Sequence, residues 1–141
     1  MNDRTIRWGI LGTGNIAAEF ARGLRDCPHA QLIAVGSRSI EKSRSFGQQF
    51  GIPHCYGNYE RLVENPAVDV SYIATPHSLH RDNMSLALQA GKAVLCEKPL
   101  AINEEQAREA GALWGLRYRM KSRRGILASR QPSPAQVRTL L

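Results

Sequence analysis

Ile6-Arg7-Trp8-Gly9-Ile10-Leu11-Gly12-Thr13-Gly14-Asn15-Ile16-Ala17 is the stretch that decides the fold. Its first half, Ile6 to Leu11, is a short, mostly apolar run entered from a charged leader and ended by glycine, which predicts a buried strand. From Ile16 onward the apolar residues Ile16, Ala17, Phe20, Ala21 and Leu24 recur at helical spacing. A strand, a glycine turn and a helix therefore succeed one another without a linker. The turn fits the pattern G-x-G-x-x-A, and each small residue has a physical use in it. Gly12 permits the tight turn, Gly14 lets the backbone approach a pyrophosphate, and Ala17 allows close helix packing, while the helix start offers its free N–H groups to an anion. In this setting Gly12, Thr13, Gly14, Asn15 and Ile16 are the expected contacts of a dinucleotide.

The same alternation continues outward from that stretch. Gln31 to Val35 predicts a second strand, Glu41 to Phe50 a second helix and Pro53 to Tyr56 a short third strand. A brief helix over Asn58 to Glu64 stops at Asn65-Pro66, because a residue before proline resists helical geometry. Val68 to Ala74 is a fourth strand, His80 to Ala90 a helix closed by Gly91, and Ala93 to Cys96 a fifth strand. Asn103-Glu104-Glu105-Gln106 has the cap and acidic first turn of one more helix start. Strands alternating with helices predict an α/β fold, a doubly wound parallel Rossmann sheet covered on both faces, over residues 4–110. Residues 111–141 break the pattern. They are glycine-interrupted, then basic, then rich in Ser, Pro and Arg, and predict a disordered or out-of-frame tail with no strand.

Charge divides the chain at the same place. Residues 1–109 hold twelve acids and twelve bases, whereas the tail holds seven Lys or Arg and no acid, which accounts for the whole net charge of +7. The tail lacks the aromatic interleaving of a base-stacking platform, so no nucleic-acid partner is expected. Apolar runs are strand-sized and short of the roughly 18 residues a membrane span needs, and the leader lacks an apolar signal core. No membrane association and a cytoplasmic location are the expectation. Cys27, Cys55 and Cys96 never form Cys-x-x-Cys, so neither disulfides nor a metal site is expected.

Three strand ends carry the remaining chemistry. After the second strand comes Gly36-Ser37-Arg38-Ser39, with no acid to accept from ribose hydroxyls. Ser37 and Arg38 instead suit a 2′-phosphate, which favours NADP while leaving NAD possible. After the fourth strand, Thr75-Pro76-His77-Ser78-Leu79-His80 sets two histidines beside the expected cofactor. After the fifth, Cys96-Glu97-Lys98-Pro99 puts a lysine where ligands of open α/β sheets collect, so Lys98 is a site candidate on position alone.

In that order, the glycine turn, Ala74-Thr75-Pro76-His77-Ser78-Leu79-His80 and Cys96-Glu97-Lys98-Pro99 resemble the N-terminal domain of the Gfo/Idh/MocA family of NAD(P)-dependent oxidoreductases. Within it they look most like the dimeric dihydrodiol dehydrogenase and sugar-dehydrogenase branch. The resemblance implies hydride transfer between the nicotinamide and a secondary alcohol of a polyol, sugar or cyclic diol. It implies that Thr75, Pro76, His77 and His80 line the cofactor, with His80 near the reacting end, and that Glu97 and Lys98 hold the ribose side and the reacting hydroxyl. Lys98 and His80 are then the expected catalytic residues, Lys98 as proton relay or electrostatic stabiliser of the developing alkoxide. Members of the family are usually homo-oligomers and carry a C-terminal α/β domain that forms the substrate pocket. That domain is missing here, so a truncated or frameshifted chain is expected, with a catalytically silent nucleotide-binding or redox-sensing module as the alternative.

Overall fold

A computed structural model describes residues 4–97, together with the paired positions 120–121 and 127–128. Five parallel strands form one sheet: β1 (Ile6–Leu11), β2 (Ala30–Gly36), β3 (His54–Tyr56), β4 (Val70–Ile73) and β5 (Ala93–Cys96). Their spatial order is β3-β2-β1-β4-β5, so the chain reverses direction across the sheet between β1 and β4. The helices α1 (Asn15–Arg25), α2 (Ile40–Phe50), α3 (Tyr59–Glu64) and α4 (His80–Gln89) connect them, with a single 3₁₀ turn at His77–Leu79 before α4.

Both faces of the sheet are buried, which is why its strands read as apolar runs rather than as alternating ones. Successive residues point to opposite sides. Ile10, Val35 and Tyr72 pack with Ala17, Ala21 and Phe46 on the side of α1 and α2. Leu11, Ala34 and Ile73 pack with Leu62, Met84 and Leu88 on the side of α3 and α4. At the far edge from the glycine turn, Asp69 ties β1 to β4: it accepts from the Arg7 backbone N–H at 2.9 Å and from the Arg4 guanidinium at 3.0 Å.

Local signals set the helix ends. Asn58 caps α3, its Oδ1 accepting from Arg61 N–H at 2.8 Å. Ser39 caps α2 more loosely, accepting from Lys42 N–H at 3.4 Å. After α4 the N–H groups of Gly91 and Lys92 turn back onto the carbonyls of Leu88 and Ala87, a Schellman closure with Gly91 at φ +78°. The expectation of no strand in the tail is corrected by a short antiparallel pairing, β6 (Met120–Lys121) with β7 (Leu127–Ala128). Two residues per strand are too few for any alternation to show in the sequence.

Candidate functional site

Strand register assembles the site. Leu11 lies level with Gly36 on one side and Ile73 on the other, Gly36 with Tyr56, and Ile73 with Cys96. The strands therefore end in one row, and the loops that follow all leave from the same sheet edge. Between β1 and β4, where the strand order reverses, neighbouring loops diverge and leave a crevice. A cleft of about 1100 Å³ opens there, lined by Gly12 to Ile16, by Ser37 to Ser39, by Lys42, Ser45, Phe46 and Gln49 of α2, by Tyr59, and by Ala74 to His77.

The floor is the glycine turn. Gly12 has φ +111°, and a Cβ there would lie 2.6 Å from the Ala74 carbonyl oxygen. Only glycine satisfies both the backbone and the contact. Gly14 differs: it has ordinary φ of −81°, and a Cβ would meet nothing within 4 Å. It opens on free space in front of α1, whose start has no side-chain cap and no acid in its first turn. Uncapped helix N–H groups facing an open cradle fit a phosphate-bearing ligand.

Beyond the turn, the cleft carries the cations Arg38 and Lys42 and, among the described lining residues, no carboxylate. Lys42 sits in the first turn of α2, where a helix dipole disfavours positive charge unless an anion is nearby. Ser37 is buried, and its Oγ accepts the Ser39 N–H at 3.1 Å, which leaves its own proton to donate. Tyr59 stands opposite, half-buried against the α3 core. Burial pushes its phenol up, while the Arg38 guanidinium pulls it down by charge and as a hydrogen-bond donor. The exposed Glu41 is held below its usual range by a backbone hydrogen bond and by Ser39, whose hydroxyl donates to it at 3.1 Å.

At the β4 end, Thr75 is buried and doubly anchored by α4: its carbonyl is 2.7 Å from His80 Nε2, and its hydroxyl accepts from Asn83 Nδ2 at 2.7 Å. This fixes the loop that presents Pro76 and His77 to the cleft.

Of the residues singled out from sequence, Gly12, Thr13, Gly14, Asn15, Ile16, Ser37, Arg38, Thr75, Pro76 and His77 all line the cleft. Two stand elsewhere. His80 is fully buried behind the loop, because its ring is the anchor of the Thr75 carbonyl. Glu97 accepts the Tyr72 hydroxyl instead of facing the cleft, and its charge adds to burial in raising the Tyr72 pKa. Lys98 lies outside the described residues. Ser39, Lys42 and Tyr59 are additions that a reading of single motifs misses. A lysine in the first turn of α2 is the sequence signal that could have found Lys42.

Residues 6–115 match the model of an oxidoreductase family with an NAD-binding Rossmann fold. The chain is 45% identical over 106 residues to trans-1,2-dihydrobenzene-1,2-diol dehydrogenase of Mus musculus and 42% identical over the same length to that of Homo sapiens. Each match covers 74% of this chain and 32% of the relative, so the chain spans about a third of the length of these relatives. Among solved structures, a 3-ketoreductase from Actinomadura kijaniata in complex with NADP superposes with a TM-score of 0.77 at 33% identity, over 81% of this chain and 36% of that one. An NAD-binding oxidoreductase from Klebsiella pneumoniae gives 0.74 at 32% identity, over 78% and 31%.

Proposed function

Since the chain belongs to the Gfo/Idh/MocA oxidoreductase family, with its NAD-binding Rossmann fold, we propose that it is the cofactor-holding part of an NADP-dependent dehydrogenase acting on a secondary alcohol of a diol or sugar-like substrate. The observation that carries this reading is the acid-free cleft at the strand-order reversal, with an uncapped helix start at one end and Arg38 and Lys42 at the other. NADP, when bound, supplies the nicotinamide that exchanges a hydride with the carbinol carbon.

The residues of this chain bind and orient. The N–H groups at the start of α1 meet the pyrophosphate, and Gly14 lets it come within backbone reach. Arg38 and Lys42 neutralise the 2′-phosphate, and Ser37 donates its remaining proton to it. Pro76 and His77 wall the nicotinamide side, and His80 with Asn83 positions that wall, so His80 acts at one remove from the chemistry. Lys98 follows Glu97, whose backbone N–H is still paired with Ile73 at 3.0 Å. In this reading the neutral Lys98 Nζ accepts the proton of the reacting hydroxyl, and the ammonium so formed offsets the charge of the alkoxide. The dehydrogenase relatives and the NADP-bound ketoreductase support the same assignment of cofactor and reaction class.

Titration of the chain with NADPH and NADH, followed by nicotinamide fluorescence, tests the cofactor assignment. NADPH binds at least tenfold more tightly if Arg38 and Lys42 serve a phosphate, and tighter binding of NADH contradicts the assignment. Lys98→Ala is expected to keep NADPH affinity within twofold while removing substrate-dependent reduction of NADP. A Lys98→Ala chain that still turns over excludes Lys98 from the proton step.

A further inference from the structure

Tyr59 stands out among the cleft residues because nothing in the glycine-turn logic asks for it. It opens α3, and the chain brings it to the cleft only through the pairing of β3 with β2. Its backbone is pinned by the Asn58 cap, and its ring packs on the core beneath α3. The side chain is therefore a fixed post. Arg38, by contrast, is exposed and long, and among the described residues no carboxylate pairs with it. Arg38 and Tyr59 line the same cleft, and the guanidinium acts on the Tyr59 phenol by charge and as a hydrogen-bond donor.

We propose that Tyr59 is the positioning residue for cofactor choice: its hydroxyl accepts from the Arg38 guanidinium and holds that cation in the cleft, ready for the 2′-phosphate. The inference rests on the NADP reading given above. A free arginine side chain loses much of its rotamer freedom when it closes on a phosphate, whereas one already tethered loses less. The phenol suits the task better than a carboxylate. A carboxylate would tether Arg38 more strongly, but it would also repel the incoming phosphate and cancel the charge that reads it. Glu60, next in the chain, is exposed and outside the cleft lining, so the acceptor that shares the cleft with Arg38 is the neutral one.

The experiment is a cofactor titration of the full chain and of three variants, Tyr59→Phe, Arg38→Ala and the double variant, with NADPH and NADH in parallel. Tyr59→Phe removes one oxygen and leaves the packed ring. It should weaken NADPH about tenfold, the usual scale for one hydrogen bond to a charged group, and leave NADH within twofold. In the Arg38→Ala background the same change should have no further effect. Three results overturn the proposal while leaving the NADP reading intact: no change in NADPH affinity with Tyr59→Phe, equal weakening of both cofactors, or a loss that persists in the Arg38→Ala background. A wild-type chain that binds NADH as well as NADPH, or an Arg38→Ala variant with unchanged preference, removes the NADP reading itself and this inference with it.

Discussion

Gly12 and Gly14 stand two residues apart and do different work, which substitution separates. Gly12→Ala places a methyl 2.6 Å from the Ala74 carbonyl oxygen on a backbone at φ +111°. Strain and overpacking together should cost about 3 kcal/mol, read as a lower urea midpoint. Gly14→Ala meets nothing within 4 Å. It should leave the melting temperature within about 2 °C of wild type while weakening NADPH at least tenfold, since the methyl fills the space that the pyrophosphate needs. Equal effects of the two changes on stability would refute this division. Both glycines could be read from sequence, because a strand and a helix flank them without a gap. Tyr59 could not, since its place in the cleft depends on which strands become neighbours. His80 and Glu97 lie at the right sheet edge, yet a side chain's direction follows from packing that spacing does not report.

The elements that frame the cleft differ in how firmly they begin. Asn58 caps α3 at 2.8 Å, and Ser39 caps α2 at 3.4 Å while also donating to Glu41. Asn58→Ala should therefore cost about 1 kcal/mol in denaturant unfolding, and Ser39→Ala only a few tenths. The reverse order would show that the hydroxyl of Ser39 matters more than its geometry suggests. Element type was readable throughout the sheet, and β1 and β5 end where the apolar runs end. The other boundaries move by at most two residues, as caps and fraying dictate. β6 and β7 went unseen because a two-residue strand carries no period.

For the whole molecule, the acids that burial protects set the alkaline limit. Burial and the Glu97 carboxylate push the Cys96 thiol up to about 12, and burial also raises Tyr59, Tyr72 and Cys55. Each folded-state pKa lies above its unfolded value, so the folded chain holds these protons more tightly. Their contribution is complete below the ordinary thiol pKa of about 8.5 and is lost as pH rises toward the folded values. Iodoacetamide at pH 8 should accordingly label the exposed Cys27 well before Cys96, with Cys96 reacting only on unfolding. Equal labelling rates in the folded chain would contradict this. Large apolar side chains exposed among the described residues are Ile16, in the cleft, and Leu95, on the outer strand. Both lie toward the sheet edge where the loops gather.

Amide hydrogen exchange of the chain with and without NADPH tests the central claim most directly. Protection confined to the amides of Thr13 to Ala17, Ser37 to Lys42 and Thr75, His77 and Ser78 is the predicted result, since these line or flank the cleft at the β1/β4 reversal. Protection that avoids the glycine turn, or no protection at saturating NADPH, would contradict it.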